Sequence, residues 1–213
     1  MVIGGKAEGL ARLQRLGLPV PPFVAVPVGE EVDEIAVAEL GEPLAVRSSA
    51  VGEDAADRSA AGQYETVLDV TREGLSAAVQ RVRASTDRAA AYGATGDVAV
   101  VIQRQVRATR AGVAFSRDPV DGRDVVLIEC ALGGGEAIVS GLVTPDRYWV
   151  DGDAVRARAA GTVRVLRDDE AHAIVELVRR AEAGFGTPVD VEFCFAGREL
   201  WLVQCRPITT LPL

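Results

Sequence analysis

The stretch from Val189 to Leu211 gathers the residue types that hold a metal ion and a polyphosphate. Asp190 and Glu192 alternate with Val191, Phe193 and Phe195, while Gln204 and Arg206 alternate with Val203 and Cys205. Both runs have the period-two pattern of a half-buried strand. Ala196-Gly197-Arg198-Glu199 between them reads as a turn. A loop of three or five residues sets Glu192 opposite Gln204 and Asp190 opposite Arg206, with all four on one face. A loop of four slips the register and weakens the pairing. Carboxylate and amide oxygens suit Mg²⁺, and a guanidinium fork suits phosphate. The same four side chains also fit an ordinary solvated sheet face, and the hairpin alone leaves both readings open.

Two further cations stand out. The 23 basic residues comprise 22 arginines and a single lysine, Lys6, which marks a place where a compact ammonium is wanted or is a chance survivor. Lys6 follows Gly4 and Gly5 and precedes an amphipathic segment carrying Leu10, Leu13 and Leu16, with Gly17 as its stop. Glycines and a lysine at a helix start favour an anion, although the Walker A spacing is absent and Gly-Gly-Lys taken alone is more often a plain loop. Arg47 ends a strand-like run and precedes Ser48 and Ser49, which suits either a phosphate contact or a surface turn.

The elements that must position these residues read as a mixture of strands and helices. The spacing predicts strands over 23–28, 43–46, 66–70, 97–106, 111–116 and 124–130, with a meander over 148–165. Helices are expected over 30–40, 72–92 and 168–184, the last capped by Asp168 or Asp169 and ended by Gly184. The apolar run Asp97–Val106 predicts a central strand, with Gln103–Val106 as a joint between two lobes, and Leu75, Val79 and Val82 form the inner face of their helix. Residues 50–65 read as a mobile cover, and the glycine-rich 132–136 as a ligand loop or a plain connection. His172 is expected as an exposed helical residue.

Bulk properties narrow the class. At 213 residues the chain can form one domain or two small lobes, and its net charge of −8 argues against general nucleic-acid binding. No apolar run has membrane-spanning length, and the opening lacks the makeup of a signal peptide. Three cysteines without C-x-x-C spacing, beside one histidine, argue against zinc and for a reduced, cytoplasmic setting.

Taken in order, these pieces resemble the ATP-binding domain of the phosphoenolpyruvate synthase and pyruvate phosphate dikinase family, which rifampicin phosphotransferase shares. The resemblance rests on GGKAEGL with LGLPVPP at 4–22, AVRSSAVGED with AGQYET at 45–66, VVIQRQV at 100–106, AFSRDPVDG at 114–122, GGEAIVSGLVTPDRY at 134–148, and DVEF with LVQCRPITTL at 190–211. It implies an α+β, ATP-grasp-like fold, one ATP-binding domain whose two lobes, about 1–102 and 103–213, clamp a nucleotide, the second ending in the 189–206 hairpin.

By position, the resemblance places Lys6 and Arg47 on the phosphates with Arg206, and these three are the catalytic candidates. It makes Gln103, Gln105 and Val106 the adenine-reading hinge, and it gives Glu192 and Gln204 to Mg²⁺, with Asp190 nearby. The stretch between Val28 and Pro43 is shorter than in the full enzymes, and no phosphohistidine motif surrounds His172. The implied activity is that of the ATP-binding subunit of a split phosphotransferase. It would use MgATP to phosphorylate a histidine on a separate phosphohistidine-domain protein, releasing AMP and phosphate, for onward transfer to a small-molecule acceptor. A non-catalytic regulatory nucleotide module and a direct kinase or ligase are the alternatives. Neither a nucleic acid nor a membrane is an expected partner.

Overall fold

A computed structural model describes residues 2–50, 65–90, 98–134, 143–209 and 211. The expected cover over 50–65 and the end of the glycine-rich loop fall largely outside them. Contacts along the chain define two units: residues 1–11 with 21–105, and residues 12–20 with 106–213. Residues 12–20 therefore group with the second half, and Gln103 and Gln105 with the first.

The first unit is built on a four-stranded antiparallel sheet in the order β1-β4-β2-β3. Its strands are β1 (Phe23–Val26), β2 (Leu44–Ala50), β3 (Thr66–Val70) and β4 (Val98–Arg104). The apolar run predicted as a central strand is β4, hydrogen-bonded to β1 on one side and β2 on the other. Helix α3 (Arg72–Ala90) lays Leu75, Val79 and Val82 on this sheet, against Val46, Val100 and Ile102. The expected helix over 30–40 shrinks to α2 (Glu34–Ala38), because Asp33 caps it, its Oδ1 accepting from the N–H groups of Ile35 and Ala36.

The second unit carries a six-stranded antiparallel sheet in the order β10-β9-β5-β6-β7-β8. These strands are β5 (Arg110–Phe115), β6 (Val126–Leu132), β7 (Asp146–Asp151), β8 (Ala154–Arg158), β9 (Val189–Ala196) and β10 (Glu199–Pro207). One face is covered by helix α4 (Asp168–Phe185), whose Ile174 and Val178 join Ile128, Tyr148, Val191 and Phe193 in the core. Gly112 on β5 is obligatory for this packing: a Cβ there would lie 2.2 Å from the Glu129 carbonyl oxygen and 2.7 Å from the Phe193 ring.

Three local expectations are corrected. Arg167, not Asp168 or Asp169, is the N-cap residue of α4, and Glu170 Oε2 accepts its N–H at 3.0 Å. Gly184 does not stop the helix but lies inside it against Leu16; Gly186, at φ 65°, closes it. The meander ends at Arg158, beyond which the chain is tied by side chains. Asp146 accepts from Ala160 N–H at 2.7 Å, Val165 N–H at 2.8 Å and the Tyr148 hydroxyl at 2.9 Å, and that hydroxyl accepts from Leu166 N–H at 2.8 Å. Burial pushes the Tyr148 hydroxyl up to about 12.

All three cysteines, Cys130, Cys194 and Cys205, are buried thiols of the second unit outside any disulfide, and burial pushes Cys130 and Cys194 up to about 12. Among the described residues no helix is long and apolar enough to cross a membrane.

Candidate functional site

The hairpin of the second unit reaches the expected pairing by another route. Its turn is two residues long, because Glu199 already pairs with Ala196. That short turn alone would set Gln204 opposite Val191. A bulge between Leu202 and Gln204 supplies the missing residue, so Gln204 stands opposite Glu192 and Arg206 opposite Asp190. The bulge also explains how Leu202 and Gln204, two positions apart, are both buried: Leu202 enters the core beside Phe193, while Gln204 turns to the other face.

On that face, Arg206 holds Asp190 through two contacts to one oxygen, Nε and Nη2 each at 2.9 Å from Oδ2. Asp190 is 8% exposed and the Arg206 side chain half exposed. Gln204 is 6% exposed, and among the described residues its buried Oε1 has no hydrogen-bond partner. A buried amide oxygen left without a donor costs stability unless a ligand supplies the partner. Next to the Glu192 carboxylate, it is an oxygen suited to a hard cation such as Mg²⁺, which takes one or two protein ligands and fills its remaining positions with phosphate oxygens and water. The site residues present therefore fit that ion. Among the described residues no group of three or more His, Cys, Asp or Glu is arranged as an all-protein metal cage.

The neighbouring strands continue this face. Val113 on β5 pairs with both Glu192 and Glu129, and Glu129 on β6 pairs with Arg147 on β7. Glu129 Oε1 lies 2.7 Å from Arg147 Nε. Neither residue was singled out in the sequence, since their place in this row depends on the register between β6 and β7.

Helix α1 (Gly4–Arg15), whose residues up to Ala11 group with the first unit, begins earlier than expected: Gly4, Gly5 and Lys6 form its first turn. Ser49 fixes it there, its Oγ accepting the Ala7 N–H at 3.1 Å. Only glycine fits at position 4, with φ at 71° and a Cβ that would lie 2.2 Å from the Ser49 carbonyl oxygen. The Ser49 hydroxyl thus anchors the start of the helix that carries Lys6.

Arg47 and Gln103 share the sheet face away from the α3 core, since Arg47 pairs with Val101 and Ala45 with Gln103. Gln103 sits inside β4, is 3% exposed and donates from Nε2 to the Pro21 carbonyl at 3.4 Å. Gln105 lies just past β4. Its N–H donates to the Pro43 carbonyl at 2.9 Å, and its side chain turns to Asp69, accepting that residue's N–H at 2.6 Å and donating to its Oδ1 at 3.3 Å. Its contribution to any ligand therefore falls to the backbone. Val106 is partly buried and begins the second unit's main segment. Each unit thus presents one cluster of the expected residues: Lys6 by way of Ala7 and Ser49, with Arg47 and Gln103, in the first; Asp190, Glu192, Gln204 and Arg206 in the second. His172, in the second turn of α4, places Nδ1 2.8 Å from the Asp168 carbonyl.

Comparison with known proteins gives a family match and a fold. The family model described as "Pyruvate phosphate dikinase, AMP/ATP-binding domain" matches residues 27–163 and 155–212. A probable phosphoenolpyruvate synthase of Archaeoglobus fulgidus is 37% identical, over 79% of this chain and 27% of its own length. A rifampicin phosphotransferase of Streptomyces is 38% identical, over 94% of this chain and 27% of its own length. The prodigiosin synthesizing transferase of Serratia marcescens is 32% identical, over 98% and 32%. The chain thus spans between a quarter and a third of these relatives. Among solved structures, the D-alanine–D-alanine ligase of Bacillus anthracis complexed with ATP aligns with a TM-score of 0.59 at 12% identity, over 99% of this chain and 56% of that one. An N5-carboxyaminoimidazole synthetase of Staphylococcus aureus complexed with ADP aligns with a TM-score of 0.55 at 14% identity, over 98% and 46%. Likeness at this level shows the fold, which is α+β and ATP-grasp-like.

Proposed function

Because the chain belongs to the pyruvate phosphate dikinase AMP/ATP-binding domain family, we propose that it is the ATP-binding part of a split phosphotransferase. In this reading it uses MgATP to phosphorylate a histidine on a separate phosphohistidine-domain protein, with AMP and phosphate released and a small molecule as final acceptor. The observation that carries the reading is the unpartnered, buried Gln204 Oε1 paired across the hairpin with Glu192, beside the Asp190–Arg206 couple.

The chemistry asks mostly for positioning and charge neutralisation. Glu192 and Gln204 supply oxygen ligands to Mg²⁺, which would screen charge on the phosphates. Arg206, oriented by Asp190, offers its guanidinium to a phosphate oxygen. Lys6 adds a compact positive charge at the start of α1, where the helix dipole also favours an anion, and Arg47 adds a second fork. Gln103, Gln105 and Val106 serve the base, with Gln105 acting through its backbone.

The test is product analysis. Purified chain is incubated with MgATP, alone and with the isolated phosphohistidine domain of a rifampicin phosphotransferase relative, and nucleotides are separated by chromatography. The reading expects AMP and phosphate only when the histidine domain is present, with label on its histidine. ADP formed with a small acceptor and no histidine domain would replace it with a direct kinase or ligase. Tight ATP binding without turnover would replace it with a regulatory nucleotide module.

A further inference from the structure

The face of the second unit's sheet opposite α4 changes character along its length, from buried at β9 and β10 to exposed at β7 and β8. At β9 and β10 it carries Asp190, Glu192 and Gln204. At β7 and β8 it carries Arg147, Trp149, Arg156 and Arg158, which share one face because Arg147 pairs with Arg158 and Trp149 with Arg156. Their strand neighbours Tyr148, Val150, Val155 and Ala157 point the other way, into the core. The three arginines are exposed, and the Arg156 guanidinium stacks 4.5 Å above the Trp149 ring.

Folding alone does not account for this cluster. Like charges directly opposite on a sheet destabilise the pairing, by up to about 1 kcal/mol. Glu129 offsets Arg147 at 2.7 Å. Among the described residues the Arg158 side chain forms no ion pair and no hydrogen bond. Protection of an exposed edge is one use of charge, and β8 is the edge strand. That use covers Arg156 and Arg158 but not Arg147 and Trp149, which lie one strand further in. Arginine beside tryptophan is instead the composition concentrated at binding hot spots. The patch is also opposite in sign to the chain, whose net charge is −8, so it singles out acidic partners against a repulsive background.

We propose that the open face of the β7–β8 ribbon is a docking surface for an acidic segment of a partner protein. Arg147 and Arg158 offer paired guanidinium forks to carboxylates, and Trp149, held flat under Arg156, supplies the apolar floor. The inference does not depend on the nucleotide reading.

The experiment measures fluorescence anisotropy of a fluorescein-labelled oligo-glutamate peptide with the full chain over a salt series. The variants are Arg156→Glu/Arg158→Glu and, as a control of equal charge change, Arg123→Glu/Arg198→Glu, whose residues lie in turns elsewhere. Melting curves and MgATP affinity are recorded in parallel. The expected result is salt-sensitive binding to the parent chain, weakened about tenfold or more by the β8 variant. In the control it should stay within about twofold, with MgATP affinity unchanged in both. Equal weakening by the control would overturn the proposal, as would absence of peptide binding by the parent. Equal binding of a single-stranded RNA of matched charge at the same salt would overturn it in favour of a general polyanion surface. Loss of MgATP binding in the parent would count against the nucleotide reading and leave the docking result standing.

Discussion

Glu192 stands directly across the hairpin from Gln204 because the ladder bulges between Leu202 and Gln204. The irregularity turns the amide away from the core that Leu202 enters and toward a carboxylate, and so creates a pair of oxygens in which the Gln204 member has no donor among the described residues. A position of this kind is spent on a ligand more than on stability.

Replacing Gln204 with Leu should therefore leave the melting temperature unchanged or slightly raised, since the buried oxygen that lacks a donor disappears. Mg²⁺-dependent ATP affinity should fall about tenfold or more. Calorimetric titration with and without Mg²⁺ checks both parts; an unaltered affinity would remove the hairpin from the site.

Lys6→Ala should reduce nucleotide turnover by at least about a hundredfold with little change in the melting curve. Ser49→Ala should act indirectly: it removes the acceptor of the Ala7 N–H, costs about 1 kcal/mol, and loosens the turn that carries Lys6. Denaturant titration together with ATP affinity separates the two variants. Affinity lost in Lys6→Ala with no loss in Ser49→Ala would show that the anchor does not position the lysine.

At Gly112 the added methyl of an alanine meets the Glu129 carbonyl, the Phe193 ring and the Cys130 Cα. Backbone on two sides leaves no flexible neighbour to yield, so Gly112→Ala should cost at least about 2 kcal/mol in urea denaturation. Because β5 pairs with β9 at this position, MgATP affinity should weaken as well. A fully stable variant would show that the two strands part more easily than their packing implies.

Acid sensitivity should trace in part to Glu170. Hydrogen bonds from Arg110, at 2.8 and 2.9 Å, hold its carboxyl below its ordinary value of 4.5. A depressed carboxyl stabilises the fold fully above its unfolded value and loses that contribution as pH falls through the folded one. Glu170→Gln should cost about 2 kcal/mol at neutral pH and flatten the loss of stability below about pH 4.5. Melting temperatures recorded from pH 7 downward give both; a parallel curve for the variant would exclude Glu170 as a source.

Much of this was legible in the sequence, and the misses have physical reasons. The inner face of α3 and the central position of β4 followed from apolar spacing, because burial of one stripe or of a whole strand leaves a direct trace in residue type. The Glu192–Gln204 pairing was legible too, but not its cause. Leu200, Trp201, Leu202 and Val203 are all apolar, so a bulge among them leaves no mark in the alternation. The start of α1 depends on Ser49, 42 positions away, and the order beyond β8 depends on Asp146 reaching Ala160 and Val165. Side-chain bonds to distant backbone carry no local signal. The basic patch was missed for the same reason: Arg147 and Arg158 become neighbours only through strand register.

The placement of the cysteines gives the molecule a chemical reporter of its own. All three thiols are in the second unit and none in the first, and each is buried. A thiol labels only as thiolate and only when exposed. The rate of alkylation under native conditions therefore counts openings of the six-stranded sheet alone, silent to fraying of the other unit. If nucleotide binding slows that clock, it does so by the stabilisation it confers on this unit, which turns a simple mass-spectrometric labelling series into a measure of ligand binding resolved to one half of the chain.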